Sequence, residues 1–253
     1  DMFFLREINE IIKIEQQYGS EAIWPYYYAG TMGLVMRDGI NRLRHVKKYS
    51  GEHQTICTNQ AFNGYLAGAG KMLGVDPAEI KESDNVIIWG TNAAVTQINV
   101  MSHANEARRA RNAKIIVIDS YKNATAKQAD LFLCVKPGTD GALACGVMHY
   151  LVKNNLHDIE YLKTFTDFND DFMVHLEKKT IDWASDITGI KKNDIEQFAN
   201  LLGNKPRNYF RLGYGFTRQK NGASNMHAVA SLPAILGSWK YKGGGALMNN
   251  GSI

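Results

Sequence analysis

The sequence predicts an α/β fold: a Rossmann-like, mostly parallel sheet with helices on both faces, plus a second, discontinuous α/β lobe. Three observations carry the sheet. Apolar runs of strand length stand at Val86-Ile87-Ile88-Trp89, Lys114-Ile115-Ile116-Val117-Ile118 and Leu131-Phe132-Leu133-Cys134-Val135. A helical pattern from about Val100 to Asn112 lies between the first two. Each run ends in turn or acid chemistry: Gly90-Thr91-Asn92, Asp119 and Pro137-Gly138-Thr139-Asp140. Strands alternating with helices at this spacing argue for a parallel sheet, and such sheets bind ligands at the carboxyl ends of their strands. A nucleotide-like ligand is expected there.

The remaining elements follow in order. Residues 3 to 18 predict a helix, with Leu5, Ile8, Ile11, Ile12 and Ile14 recurring among charges, and Tyr18-Gly19-Ser20 stops it. Ala22 to Tyr28 predicts a strand with the glycine-rich exit Ala29-Gly30-Thr31-Met32-Gly33, and a helix follows over about Leu34 to Tyr49. Asn59 to Leu73 is small and apolar, and its Gly64, Gly68 and Gly70 permit close backbone approach to something bulky. Asp76-Pro77 reads as a helix start, Asp as N-cap and Pro at the first position. After Asp140 a helix runs to Lys153 with Leu143, Val147, Tyr150 and Leu151 on one face, and 155 to 203 is mostly helical. Asn208 to Leu212 is the last predicted strand, ending in Gly213-Tyr214-Gly215, and a helix from about Asn221 to Leu236 precedes Gly243-Gly244-Gly245.

Composition bounds the function. The chain has 253 residues, 45% hydrophobic and 21% charged, which suits a globular protein with a real core. A net charge of +4 mildly favours an anionic ligand, no Lys/Arg run is dense enough to argue for nucleic acid, and the cluster Arg42, Arg44, Lys47 and Lys48 around His45 reads as a solvated face. No apolar run reaches the roughly 18 residues of a membrane span, and no signal peptide is visible. Cys57, Cys134 and Cys145 show no C-x-x-C spacing, which argues against a zinc or iron–sulfur site built from this segment alone. The chain starts on Asp and stops at Gly251-Ser252-Ile253, which reads as a segment of a longer protein.

Each candidate site residue has a functional and a structural reading. The Gly90-Thr91-Asn92 turn can cradle phosphate with its backbone N–H groups, or Asn92 can simply cap the helix. The G-x-G-x-x-G fingerprint of ordinary NAD sites is absent. Asp119 stands where a Rossmann unit holds a ribose, or is a turn residue, and Thr125, Gln128 and Asp130 follow it in a polar connection. A carboxylate at Asp140 can accept the N1–H and exocyclic amine of guanine; alternatively Thr139 or Asp140 caps a helix. A thiolate at Cys57 would suit a soft or high-valent metal, or Cys57 is a small buried hydrophobe. Cys134 and Cys145 are expected in the core, Met101, His103, Arg108 and Arg109 lie near the helix after the first turn, and Arg218 either meets an anion or is a surface residue.

Taken in order, Trp89-Gly90-Thr91-Asn92 with Thr96-Gln97, Val117-Ile118-Asp119, Thr125-Ala126…Ala129-Asp130 and Pro137-Gly138-Thr139-Asp140-Gly141-Ala142-Leu143-Ala144 resemble the molybdopterin oxidoreductases of the dimethyl sulfoxide reductase and formate dehydrogenase superfamily. Gly213-Tyr214-Gly215…Asn221-Gly222…Gly237…Gly243-Gly244-Gly245 is similar to the next segment of those enzymes. Each motif alone is weak; the ordered set is specific and covers most of the chain.

The resemblance implies a bis-molybdopterin guanine dinucleotide cofactor carrying molybdenum or tungsten, and two-electron or oxygen-atom-transfer chemistry on a small redox substrate, as in anaerobic respiration. It matches Gly90 and Asn92 to the turn that meets a dinucleotide phosphate, Asp119 to the acid near the guanosine ribose and Asp140 to the acid that recognises guanine, with Thr91, Thr96, Ser120, Thr125, Pro137, Gly138 and Thr139 as further cofactor-binding residues. It adds Gly213 and Gly215, and places Cys57 where members carry the protein ligand to the metal; Gly64, seven residues on, supports that register. Thr58 stands where formate dehydrogenases place His, and Ser120 where Pro is usual. The family's larger size implies that the chain is the middle of such an enzyme, inactive alone. A 4Fe–4S centre would lie outside it, and an iron–sulfur electron-transfer subunit could be a partner. The setting is bacterial-type, cytoplasmic or periplasmic. The family architecture divides the chain into 1–53 with 214–253 as the discontinuous lobe, and 54–213 as the dinucleotide-binding lobe. The alternative of another class is a non-catalytic nucleotide-binding or assembly module that keeps the scaffold without the metal.

Overall fold

The computed structural model describes residues 2–26, 34–52 and 57–249; the side chains of residues 2, 34–38 and 57 lie outside that description. The chain divides into two compact units, 1–54 and 55–253.

In the first unit α1 (Met2–Tyr18) and α2 (Leu34–Lys47) form where the periodicity places them. Lys47 pairs with Glu15 at 2.7 Å, and the Tyr49 hydroxyl donates to the same carboxylate at 3.1 Å. That pairing holds the Glu15 carboxyl below its ordinary value. The strand expected over 22–28 is absent from its described part. Ser20–Ala22 is a 3₁₀ turn and 23–26 has no regular structure, because Gly19 at φ 86° ends α1 in a turn and, among the described residues of this unit, there is no strand to pair with. The predicted exit 29–33 lies outside the described residues.

The second unit runs α3 (Cys57–Ala69), β1 (Asn85–Trp89), α4 (Ala93–Thr96), α5 (Ile98–Arg111), β2 (Lys114–Asp119), β3 (Leu131–Cys134), α6 (Asp140–Lys153), α7 (Ile159–Phe165), α8 (Asp170–Glu177), α9 (Ile181–Thr188), α10 (Lys192–Gly203), β4 (Asn208–Leu212), α11 (Gly222–Ile235) and β5 (Gly245–Leu247). Before β1, Asp76 accepts from the Ala78 N–H at 2.8 Å and Pro77 opens a 3₁₀ helix, the cap chemistry the sequence predicts. The five strands pair in the order β3-β2-β1-β4-β5, all parallel. The β5 strand extends the sheet beyond the last strand predicted. Residues 214–249 supply α11 and β5 to the sheet unit.

Alternation along the strands divides the core. Ile87, Trp89, Ile116, Ile118, Phe210 and Leu212 face one side, against α6, α10 and α11. Val86, Ile88, Ile115, Val117 and Tyr209 face the other, against α5. Both faces are covered, as a parallel sheet requires. Gly64 and Gly68 of α3 meet α11. A Cβ on Gly64 would lie 2.3 Å from the Ala223 carbonyl oxygen, and one on Gly68 would lie 2.7 Å from that of His227. The bulky partner expected for these glycines is therefore another helix.

Cys134 is exposed, against the core position expected. It is the last residue of the edge strand β3, where no helix covers it. Cys145 is half-buried and packs against the core, which pushes its thiol above the ordinary range.

Candidate functional site

The strand order places a reversal at β1: the chain leaves it toward β2 and β3, then returns to β4 on its other side. Such a switch point opens a crevice at the carboxyl ends, the usual ligand position in open α/β sheets. Backbone hydrogen bonds stitch the exit turns together. Gly90 N–H donates to Ile118 O at 2.9 Å, Gly213 N–H to Trp89 O at 2.8 Å, and Gly215 N–H to Gly90 O at 3.0 Å. Gly90 sits at φ 64°, the left-handed region, with Phe216 against it: a Cβ there would lie 2.4 Å from the Phe216 ring. A Cβ on Gly213 would come within 2.3 Å of the Gly90 oxygen. Gly213 and Gly215 thus serve the approach of two backbones.

A narrow crevice of about 40 Å³ lies over these turns, lined by Gly90, Asp119, Ser120, Pro137, Gly138, Asp140, Gly215, Phe216 and Gln219 among others. Seven of these are residues predicted for the site, drawn from the ends of four strands. The space admits the edge of a planar group rather than a whole nucleotide.

Its two carboxylates differ. Asp119 is half-buried; its Oδ1 accepts from Ser120 N–H at 2.7 Å and its Oδ2 from Asn123 Nδ2 at 2.8 Å. Burial raises its pKa and these donors oppose the rise. Asp140 opens α6 and is almost fully buried. Its Oδ1 accepts from the indole Nε1–H of Trp89 at 2.8 Å, and among the described residues no other residue's hydrogen bond ends on Oδ2. Burial pushes its carboxyl up to about 6; the Trp89 bond works against that, and Asp119 adds to it. A wall offering two carboxylates and few free donors selects a partner rich in N–H groups.

The other predicted residues lie around this crevice. Asn92 precedes α4 but makes no side-chain cap; its Oδ1 accepts from the Thr125 hydroxyl at 2.9 Å. Thr125 is fully buried, and its hydroxyl also accepts from Ala94 N–H at 2.9 Å. Thr125 therefore braces the Asn92 turn from within the protein. The Thr96 hydroxyl closes on the Asn92 carbonyl at 3.1 Å. Thr91 Oγ1 accepts from Gln97 at 3.3 Å. The Thr139 hydroxyl donates to Lys136 O at 2.7 Å, forming the turn instead of capping α6. Met101 is core, Arg108 pairs with Asp130 at 2.8 Å, and Arg218 is exposed. Cys57 begins α3, and its side chain is outside the description. Among the described residues no group of three or more His, Cys, Asp or Glu could hold a metal ion, and no helix is long and apolar enough to cross a membrane.

Sequence reasoning missed the contacts that brace the Gly138 turn and the start of α6. Asn221 Nδ2 donates to Gly138 O at 2.8 Å, and Gly141 N–H donates to Asn225 Oδ1 at 3.1 Å. Trp89 was read as the end of a strand and the start of the Trp89-Gly90-Thr91-Asn92 motif, with no hydrogen-bonding role. The one signal was the Asn221-Gly222 pair; its contact across more than 80 residues is made by β4 returning beside β1.

The family described as "Molybdopterin oxidoreductase" matches residues 5–252. The Probable oxidoreductase YoaE of Bacillus subtilis is 37% identical over 236 residues, 93% of this chain and 35% of the relative. Dimethyl sulfoxide reductase DmsA of Haemophilus influenzae is 28% identical over 274 residues, 95% of this chain and 34% of the relative. The solved structure of acetylene hydratase from Pelobacter acetylenicus shares the fold, with a TM-score of 0.62 at 21% identity over 92% of this chain and 32% of that one. The chain spans about a third of the length of the curated relatives it matches. With nearly its whole length matched, the chain belongs to the molybdopterin oxidoreductase family, which implies a molybdenum or tungsten pterin cofactor.

Proposed function

We propose that the second unit is a nucleotide-gripping lobe of a bis-molybdopterin guanine dinucleotide oxidoreductase. The observation that carries this reading is the shared crevice at the sheet's switch point, with Gly90, Asp119 and Asp140 in one wall. The donor set fits the group. Asp140 and Asp119 offer acceptors to a guanine edge and a ribose, the Gly90 turn brings backbone close, and the crevice has room for a base edge. Asn92, held by Thr125, keeps its amide nitrogen free of bonds to the described residues and can donate to a phosphate.

In this reading the protein positions the cofactor by its nucleotide tail, and the metal and pterins supply two-electron or oxygen-atom-transfer chemistry. Asp140 selects guanine over adenine, Asp119 holds the ribose, and Ser120, Pro137 and Gly138 shape the entrance. Cys57 is the proposed protein ligand to the metal. The substrate is a small redox molecule, and an iron–sulfur centre in another part of the enzyme or in a partner subunit would supply electron transfer.

The test is calorimetry of GDP and ATP with this chain, with Asp140→Asn as control. GDP is expected to bind more tightly, and the substitution to remove the preference; equal affinities unchanged by it would end the guanine assignment. For Cys57, metal and pterin content of the whole protein with Cys57→Ala is decisive: full metal and full activity would remove it as ligand.

A further inference from the structure

We propose that Trp89 is a positioning residue for purine selection: its indole N–H fixes the Asp140 carboxylate so that a free acceptor oxygen is presented to the crevice. The inference rests on the guanine reading above and adds a residue to it.

Both groups are almost completely buried, and their 2.8 Å bond joins the end of β1 to the first turn of α6. The Trp89 ring cannot swing away. Phe198 packs against it edge-on with centroids 6.2 Å apart, and Phe216 at 6.1 Å. Phe216 also lies against Gly90, so one cluster sets the turn, the indole and the carboxylate together. The bond occupies Oδ1 and leaves Oδ2 without a donor from any other described residue. A carboxylate has four acceptor directions, so a guanine N1–H and amine can take Oδ2 and the remaining direction of Oδ1. Adenine presents a bare ring nitrogen at that edge and is repelled. Asp119 is the charged group that acts on Asp140, and it opposes ionisation. The indole N–H is the side-chain donor that favours the ionised, accepting form.

The experiment compares GDP, IDP and ADP binding by calorimetry from pH 5 to 8, using the wild-type chain, Asp140→Asn, Trp89→Phe, and a chain with benzothienylalanine at position 89. That last side chain keeps the indole's shape and lacks the N–H. Both Trp89 replacements are expected to weaken GDP about tenfold, the scale of one hydrogen bond to a charged group. ADP should be unchanged, and the pH midpoint of GDP binding should move upward. If Trp89→Phe does not fold, the isosteric replacement decides. GDP affinity and midpoint unchanged in a folded Trp89 variant, with Asp140→Asn still losing GDP, would overturn the role of Trp89 alone. A wild-type chain that binds GDP and ADP equally would overturn the guanine reading, and this role with it.

Discussion

Two places in the second unit bring backbones unusually close through glycine, and they serve opposite ends. Where α3 crosses α11, Gly64 and Gly68 let the helices touch, and the neighbours are Met226 and Ala230 side chains and helix carbonyls. Where β1 and β4 end, Gly90, Gly213 and Gly215 let two turns touch, and the neighbours include two carboxylates over a crevice. The first approach is filled completely; the second leaves Asp140 Oδ2 without a hydrogen bond from another described residue. Glycine spacing therefore marks a close approach, and only the unpaired acceptor beside it marks a place for a ligand.

This contrast can be broken at four points. Gly64→Val should have the largest effect, lowering the unfolding free energy by about 3 kcal/mol through overpacking against the Ala223 carbonyl, while any folded fraction keeps its GDP preference. Urea unfolding checks it, and wild-type stability would show that the seam is not tight. Asp140→Asn should stabilise the unliganded chain at pH 7.5 by about 2 kcal/mol, because it removes a buried charge, yet abolish GDP selection.

The third prediction is the pH dependence behind that gain. The Asp140 pKa is about 6 in the folded chain against 3.8 as its ordinary value, so the native state holds the extra proton between those values. Stability from this group is therefore greatest below pH 4 and falls as pH rises toward 6, by roughly 3 kcal/mol at most. Comparing wild type with Asp140→Asn across pH 4 to 7 isolates it, and a constant difference would refute the burial. Asp119→Asn should change stability least, within about 1 kcal/mol, since Asp119 is half-buried and an amide retains part of its bonding. Ribose-containing ligands should lose affinity at that position.

The strands β1 to β4, the α5, α6 and α11 helices and the Asp76 cap were legible because each is a local pattern: apolar runs of strand length, helical periodicity, or a capping pair. The strand expected at 22–28 failed in its described part, 22–26, for the converse reason. Aromatic and β-branched content describes a residue's fit to a sheet, and a sheet partner has to exist. The short β5 was missed because Gly245-Ala246-Leu247 has no strand signature of its own; pairing with β4 makes it a strand. Cys134 carries a core-like composition around it but ends an edge strand, which only the strand order reveals.

By itself the sequence determined that strands end in Gly90, Asp119, Pro137 and Gly213, since turn chemistry and apolar run length are written locally. The ordered motifs also determined the family. The tertiary structure alone decided which of those ends meet. It put Gly90, Asp119, Asp140 and Gly215 in one wall, gave Thr125 to Asn92, and set the Trp89 indole on the Asp140 carboxylate. The physical reason is that β4 returns beside β1 more than a hundred residues after leaving it, and hydrogen bonding between strands, which no local pattern encodes, fixes that register.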